Sequence, residues 1–206
     1  MAHVHLEKGM HDAGLAFLQS KEKYWAGQFD LAVKVFDEKI IARGNFNDAS
    51  SLLYRLAFED VRVPQRWKGV LDLVDKFSGH HTWVYTDLHI LFTLYRNGEK
   101  ERANELLEGL KEYVTNNTGT NAQVTHDVGM PLCAGITAFE EGHYETATNC
   151  LNSRDTFVQL LLHSAIKSSN PDHKVLARTM LNQRKSDRVE DPLGDRLLML
   201  LDSKSG

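Results

Sequence analysis

Two cysteines, four prolines and no apolar run of membrane-spanning length occur in the 206 residues of this chain, and each scarcity removes a class of protein. Cys133 and Cys150 both fall at apolar positions of predicted helices, which reads as two small core side chains in a reducing setting rather than a bridge. No stretch approaches the roughly 20 apolar residues of a membrane helix, so no membrane partner is expected. Basic residues are short as well: 24 Lys and Arg against 28 Asp and Glu give a net charge of −4. Without a basic excess there is no generic source of phosphate affinity, and nucleic acid is not an expected partner. The opening Met-Ala-His-Val-His-Leu-Glu-Lys has no basic start leading into an apolar run, so no secretory signal and a cytoplasmic setting are expected. The sequon Asn116-Asn117-Thr118 would then go unused. Also missing are a GxSxG nucleophile elbow, a phosphate-binding Walker loop, a dinucleotide fingerprint and any CxxC pair.

What is present is helical periodicity. The hydrophobic fraction of 42% and the charged fraction of 25% are those of a chain that can bury a core. The clearest stretch runs from Trp83 to Tyr113: an apolar helix with Trp83, Leu88, Leu91, Phe92 and Tyr95, a break at Asn97-Gly98, then a helix with Ala103, Leu106, Leu107 and Leu110. Two amphipathic helices joined by so short a turn fold back on each other. The break recurs as a glycine followed five positions later by alanine: Gly27 to Ala32, Gly98 to Ala103 and Gly142 to Ala147, with a weaker copy from Gly9 to Gly14. A glycine can leave the first helix at positive φ, and the small residue lets two backbones approach closely. The pattern predicts an all-α chain, an α-α superhelix of tetratricopeptide-like hairpins, stacked as one domain over residues 1–206.

Along the chain, the periodicity predicts helices from Phe29 to about Ala42, Asp48 to Glu59 with Asn47 as N-cap, and Pro64 to about Phe77 with Trp67, Val70, Leu71 and Val74 inward. Gly79-His80-His81 reads as a turn, and Asn116 to Asn121 as a polar loop. A helical pattern from Gln123 to Glu141 is broken at Gly129 and Pro131, where a kink or fresh start is expected. A short helix from Tyr144, one from Thr156 to Ser168 capped by Asp155, one from Pro171 to about Asn182 and a last one from Pro192 complete the set. Alternation is absent and no strand is expected.

The block from Arg154 to Ala165 (RDTFVQLLLHSA), with His173 to Arg178, Asp191 to Leu197, Asp127 to Cys133, Ser51 to Leu56 and Gln65-Arg66-Trp67, resembles the tetratricopeptide repeat protein 38 family, in the same order. The chain resembles the C-terminal half of those larger helical-repeat proteins. It departs from them between Gln19 and Tyr24, where the family has a further aromatic and histidine-bearing helix, and between Leu151 and Arg154, where it has a longer connection. The resemblance implies a fold and no catalytic motif.

Ten histidines are a high share, but no pair has the four-residue spacing of a helical zinc site. They read as scattered surface or core residues, and no metal and no cofactor are expected. Asp87, which could orient His89 as a base or ligand, lies with Asp127, Gln159 and His163 on apolar helix faces. Aromatics supply the other resource, at helical spacing that suits packing or a concave binding wall. Three functions follow. The leading one is a non-enzymatic binding protein whose concave groove takes a peptide or protein partner, or a second copy of itself as a homodimer. The second is a carrier of an apolar or aromatic small molecule in a cavity lined by Trp25, Trp67, Trp83 and Phe92. The third is a metal-binding or hydrolytic protein using Asp87, His89 and His163.

Overall fold

The computed structural model describes residues 22–24, 26–81, 83–152, 157–188 and 190–204, and every regular element among them is helical. The chain divides into two compact units, Met1–Gly109 and Leu110–Gly206. The weaker glycine copy at Gly9, the predicted cap Asp155 and Trp25 lie outside the described residues.

In the first unit α1 is Phe29–Val35, prolonged by a π turn, Phe36–Ile40, and a 3-10 turn, Ile41–Arg43. Gly44 ends it at φ 64°. Helix α2 is Phe46–Phe58, α3 is Pro64–Val74 and α4 is Val84–Arg96. The division between units falls within α5, Lys100–Asn116. Proline opens α3, where its missing N–H is not needed by the helix.

Two boundaries differ from the sequence reading. Asn45, not Asn47, precedes α2, because Phe46 is drawn into the first turn by stacking on Phe77 at 5.2 Å between ring centroids. Trp83 does not begin the apolar helix; it is the extended residue before α4 and stays 49% exposed.

The second unit contains α6 (Thr120–Val124), a π turn (Thr125–Gly129), α7 (Met130–Glu140), α8 (Tyr144–Leu151), α9 (Val158–Lys167), α10 (Pro171–Ser186) and α11 (Pro192–Ser203). The break expected near Pro131 is this π turn, after which the proline sits in the first turn of α7. Asn170 caps α10 by accepting the Asp172 N–H at 3.0 Å. That helix runs a turn beyond the expected Asn182, and its added residue Arg184 reaches the buried Asp191: Nη2 donates to Oδ1 at 2.8 Å and Nε stands 2.6 Å from Oδ2. Asp191 presses on Gly194, where an added Cβ would lie 2.2 Å from its Oδ2. Leu162, Ala165, Ile166, Ala177, Leu181, Leu193, Leu197 and Leu201 form the core between α9, α10 and α11. Each buried leucine contributes about 1.5–3 kcal/mol.

The three glycine joints share one set of hydrogen bonds. Gly98 N–H reaches Tyr95 O and Glu99 N–H reaches Leu94 O; Gly142 reaches Phe139 O and His143 reaches Ala138 O; Gly27 reaches Tyr24 O and Gln28 reaches Lys23 O. This is the Schellman arrangement, with glycine at φ 76°, 84° and 74° respectively. The alanine five positions on is fully buried in each copy, at Ala103, Ala147 and Ala32. Around Gly142 the following helix packs back along the preceding one. A Cβ at Gly135 on α7 would meet Leu151 of α8 at 2.7 Å, so only glycine permits that approach.

Candidate functional site: the inner face of α2 and α4

Helix α2 is buried on nearly every side between Phe46 and Leu56, including Asp48, Ser50 and Ser51. It is joined to α4 by side-chain hydrogen bonds that position the residues of interest. Ser50 Oγ donates to His89 O at 3.0 Å, and Asn47 Nδ2 donates to Thr86 Oγ1 at 3.2 Å. Thr93 Oγ1 lies 2.9 Å from the same His89 carbonyl and 3.1 Å from Ser50 Oγ, so its single proton serves one of them. Tyr54 stacks on Phe92 at 4.0 Å with the rings nearly parallel, and Arg96 lies over the outer side of this pair, 5.1 Å from the Tyr54 centroid.

His89 is fixed by this frame. Its Nδ1 is 2.6 Å from Tyr85 O. A carbonyl only accepts, so Nδ1 carries the hydrogen and Nε2 is left with its lone pair. Burial chiefly, opposed by the Tyr85 carbonyl and helped by the nearby Arg55 cation, lowers the His89 pKa to about 4, so the ring is neutral at pH 7. Tyr85 and His89 rings are 4.4 Å apart, and Trp83 and Tyr85 4.9 Å, giving a row of π faces whose outer end is exposed. Burial raises the Tyr85 pKa, so it stays a phenol.

Asp87 does not orient His89. Two residues apart on a helix, their side chains diverge by about 200°. Asp87 instead accepts from His81, whose Nδ1 is 3.1 Å from Oδ1. His81 is held at φ 43°, and a Cβ at Gly109 would come within 2.9 Å of its Nε2. Asp87 Oδ2 is buried with no hydrogen-bond partner, and burial raises the carboxyl pKa against the opposing effect of His81.

The remaining expected residues are dispersed. Trp67 is buried on α3, where its carbonyl accepts from Asn97 Nδ2 at 3.2 Å; Phe92 is core; Trp83 is at the surface. Asp127 is not on an apolar face: it is exposed on the π turn, where hydrogen bonds from His126 and Gln123 lower its pKa. Gln159 and His163 belong to the second unit, on α9; Gln159 is half-buried, and His163 is buried with its pKa lowered to about 3, chiefly by burial.

A different constellation in that unit is unexpected from sequence. Asn170 N–H donates to Ser168 Oγ, which lies 2.9 Å from His173 Nδ1, and His173 Nε2 is 3.1 Å from Asn149 Oδ1. The order resembles a nucleophile, base and orienting amide. Its hydroxyl is buried at the junction of α9 and α10, and the same bonds fasten α8 to the start of α10. Nearby, Gly142 to Thr146 and Lys167 to Ser169 line a polar pocket of about 380 Å³.

Among the described residues no group of three His, Cys, Asp or Glu is placed to share a metal ion, and no helix is long and apolar enough to cross a membrane. No family model matches the chain. No solved structure gives a significant match to it.

The residue that sequence reasoning missed is Arg55. It lies on α2 in register with Asp48, Ser51 and Glu59, a spacing that normally marks a solvated helix face. Its Nη1 donates to Ser51 Oγ at 2.7 Å, and among the described residues it forms no ion pair. The signal available was a cation inside the run Leu52-Leu53-Tyr54-Arg55-Leu56.

Proposed function

We propose that this protein is a non-enzymatic binding protein built as a tetratricopeptide-like α-α superhelix, akin to the C-terminal half of the tetratricopeptide repeat protein 38 family. Its groove takes a peptide or protein partner or a second copy of the chain. The observation that carries this reading is the repeated joint. Three Gly-to-Ala segments with one hydrogen-bond pattern support a helical-hairpin repeat, and repeats of that kind present long continuous surfaces rather than a single catalytic cleft. The chemistry-bearing side chains support it: His89 is neutral and bound to a backbone carbonyl, and Asp87 is engaged by His81.

Light scattering of the purified chain at micromolar concentration tests the self-associating form, which gives about twice the 23.4 kDa chain mass. A strict monomer removes that form. The second reading, a carrier of an aromatic small molecule, is favoured by one observation: the ring row Trp83, Tyr85 and His89 ends at an exposed tryptophan.

A further inference from the structure

The two most exposed large apolar side chains among the described residues, Met199 at 72% and Val175 at 64%, stand on one pair of helices, α10 and α11. One exposed apolar residue is ordinary; two on a shared face call for a cause. Three polar contacts across the seam show that the face is shared. Lys174 Nζ donates to Lys204 O at 2.6 Å, Arg178 Nη2 donates to Asp202 Oδ1 at 2.5 Å, and Lys185 Nζ is 2.7 Å from Asp195 Oδ1. Steps of four and seven residues put Lys174, Arg178 and Lys185 on one stripe of α10, and a step of seven puts Asp195 and Asp202 on one stripe of α11. Met199, four after Asp195 and three before Asp202, lies inside the acidic stripe. Val175, with Thr179 and Asn182, lies on the stripe just outside the basic one. Both apolar side chains therefore border the edge that the ion pairs cross.

An occupant of this face has to match two parallel rows of opposite sign, and the chain itself carries that match. Turned about a two-fold axis that runs along the helices within the face, a second copy lays its α10 over the first copy's α11. Each basic row then meets an acidic row, and the contact closes as an isologous pair. The Arg178–Asp202 and Lys185–Asp195 pairs are exposed, so each contributes little within one copy, and their unused lone pairs and N–H donors remain open to a second. The same turn carries Met199 of one copy to the α10 of the other, where Lys174, Val175, Arg178, Thr179 and Asn182 line a groove of about 240 Å³. An unbranched thioether suits such a groove. Helix α10 has 16 residues and so a length of about 24 Å, and two helices side by side are roughly 20 Å across. Each copy thus offers about 500 Å², which places the pair near the ~1,000 Å² of a small specific interface and implies micromolar association.

We propose that the face of α10 and α11 bearing Val175 and Met199 is where a second copy of this chain docks, with the basic row of each copy against the acidic row of the other. This rests on the self-associating form of the binding reading above and names its surface. The test is sedimentation equilibrium of the full chain at micromolar concentration, with circular dichroism to confirm that each variant keeps its helices.

Wild type sediments at about twice 23.4 kDa, and its dissociation constant rises as salt is raised from about 0.05 to 0.5 M. Met199→Lys sets a cation against the basic row and Val175→Glu an anion against the acidic one, so each weakens the dimer by about tenfold or more. Both replaced side chains are exposed, so the variants fold. Arg178→Glu and Asp202→Arg singly weaken the dimer as well, and the double variant, with both rows altered in the complementary sense, recovers it. A wild-type dimer that Met199→Lys and Val175→Glu leave intact overturns this face and leaves self-association standing on another. A double reversal that stays dissociated while folded overturns the pairing of the rows. A wild type that remains a monomer up to about 100 μM, well above a micromolar constant, removes the face together with the self-associating form.

Discussion

At Gly135 a hydrogen separates α7 from α8, and this sets the sharpest prediction at the residue scale. Gly135→Ala places a methyl 2.7 Å from Leu151 Cγ, so the helices must part or the leucine must leave its rotamer. A loss of about 1–3 kcal/mol is expected, the range for an overpacked core, despite alanine's better helix propensity. Urea unfolding of the variant measures it, and an unchanged or raised midpoint would contradict the packing. The buried histidines give a pH prediction with a definite sign. Both have folded pKa values below the unfolded value of about 6.5, so the unfolded chain takes up protons first as pH falls. Their contribution is complete above pH 6.5 and is lost on acidification toward pH 4 and below. For His89 alone the loss is roughly 3 kcal/mol, from the shift to about 4. His89→Gln should flatten the decline of the urea midpoint between pH 7 and 4.5. A variant that declines as steeply as wild type would place the acid sensitivity elsewhere.

At the scale of elements, the hairpin joint is where sequence and structure agree most closely. A glycine at positive φ and a small residue five positions on are local requirements, so they are legible without knowing what packs where. Gly142→Ala, at φ 84°, should cost about 1–2 kcal/mol. Ala147→Leu, at a fully buried position of the same joint, should cost about 1–3 kcal/mol. Equal midpoints for these variants and wild type would mean the joint is not under the constraint described. The site on α2 and α4 was less legible. His81 reaches Asp87 only because its backbone enters the left-handed region at φ 43°, for which no neighbouring residue is a signal. Arg55 lies on a stripe that looks solvent-facing by period, and it is half-buried because α2 is covered on nearly all sides. Trp83 failed for a related reason: one residue of difference in where α4 begins turns an apolar helix position into an exposed entry residue. Asp87 and His89 read as partners in sequence, but helix geometry separates them and gives each a different acceptor or donor.

For the molecule as a whole, the proposed function is to hold something rather than to transform it. Its glycine joints turn one helix into the next, and Arg184 with Asp191 and His173 with Asn149 tie neighbouring elements of the second unit together. A native mass spectrum of the protein isolated from its source under non-denaturing conditions tests this most directly. The account predicts a species heavier than the 23.4 kDa chain, either near twice that mass or carrying a retained peptide or small molecule that is released on denaturation. A spectrum of the bare chain alone at micromolar concentration would contradict it.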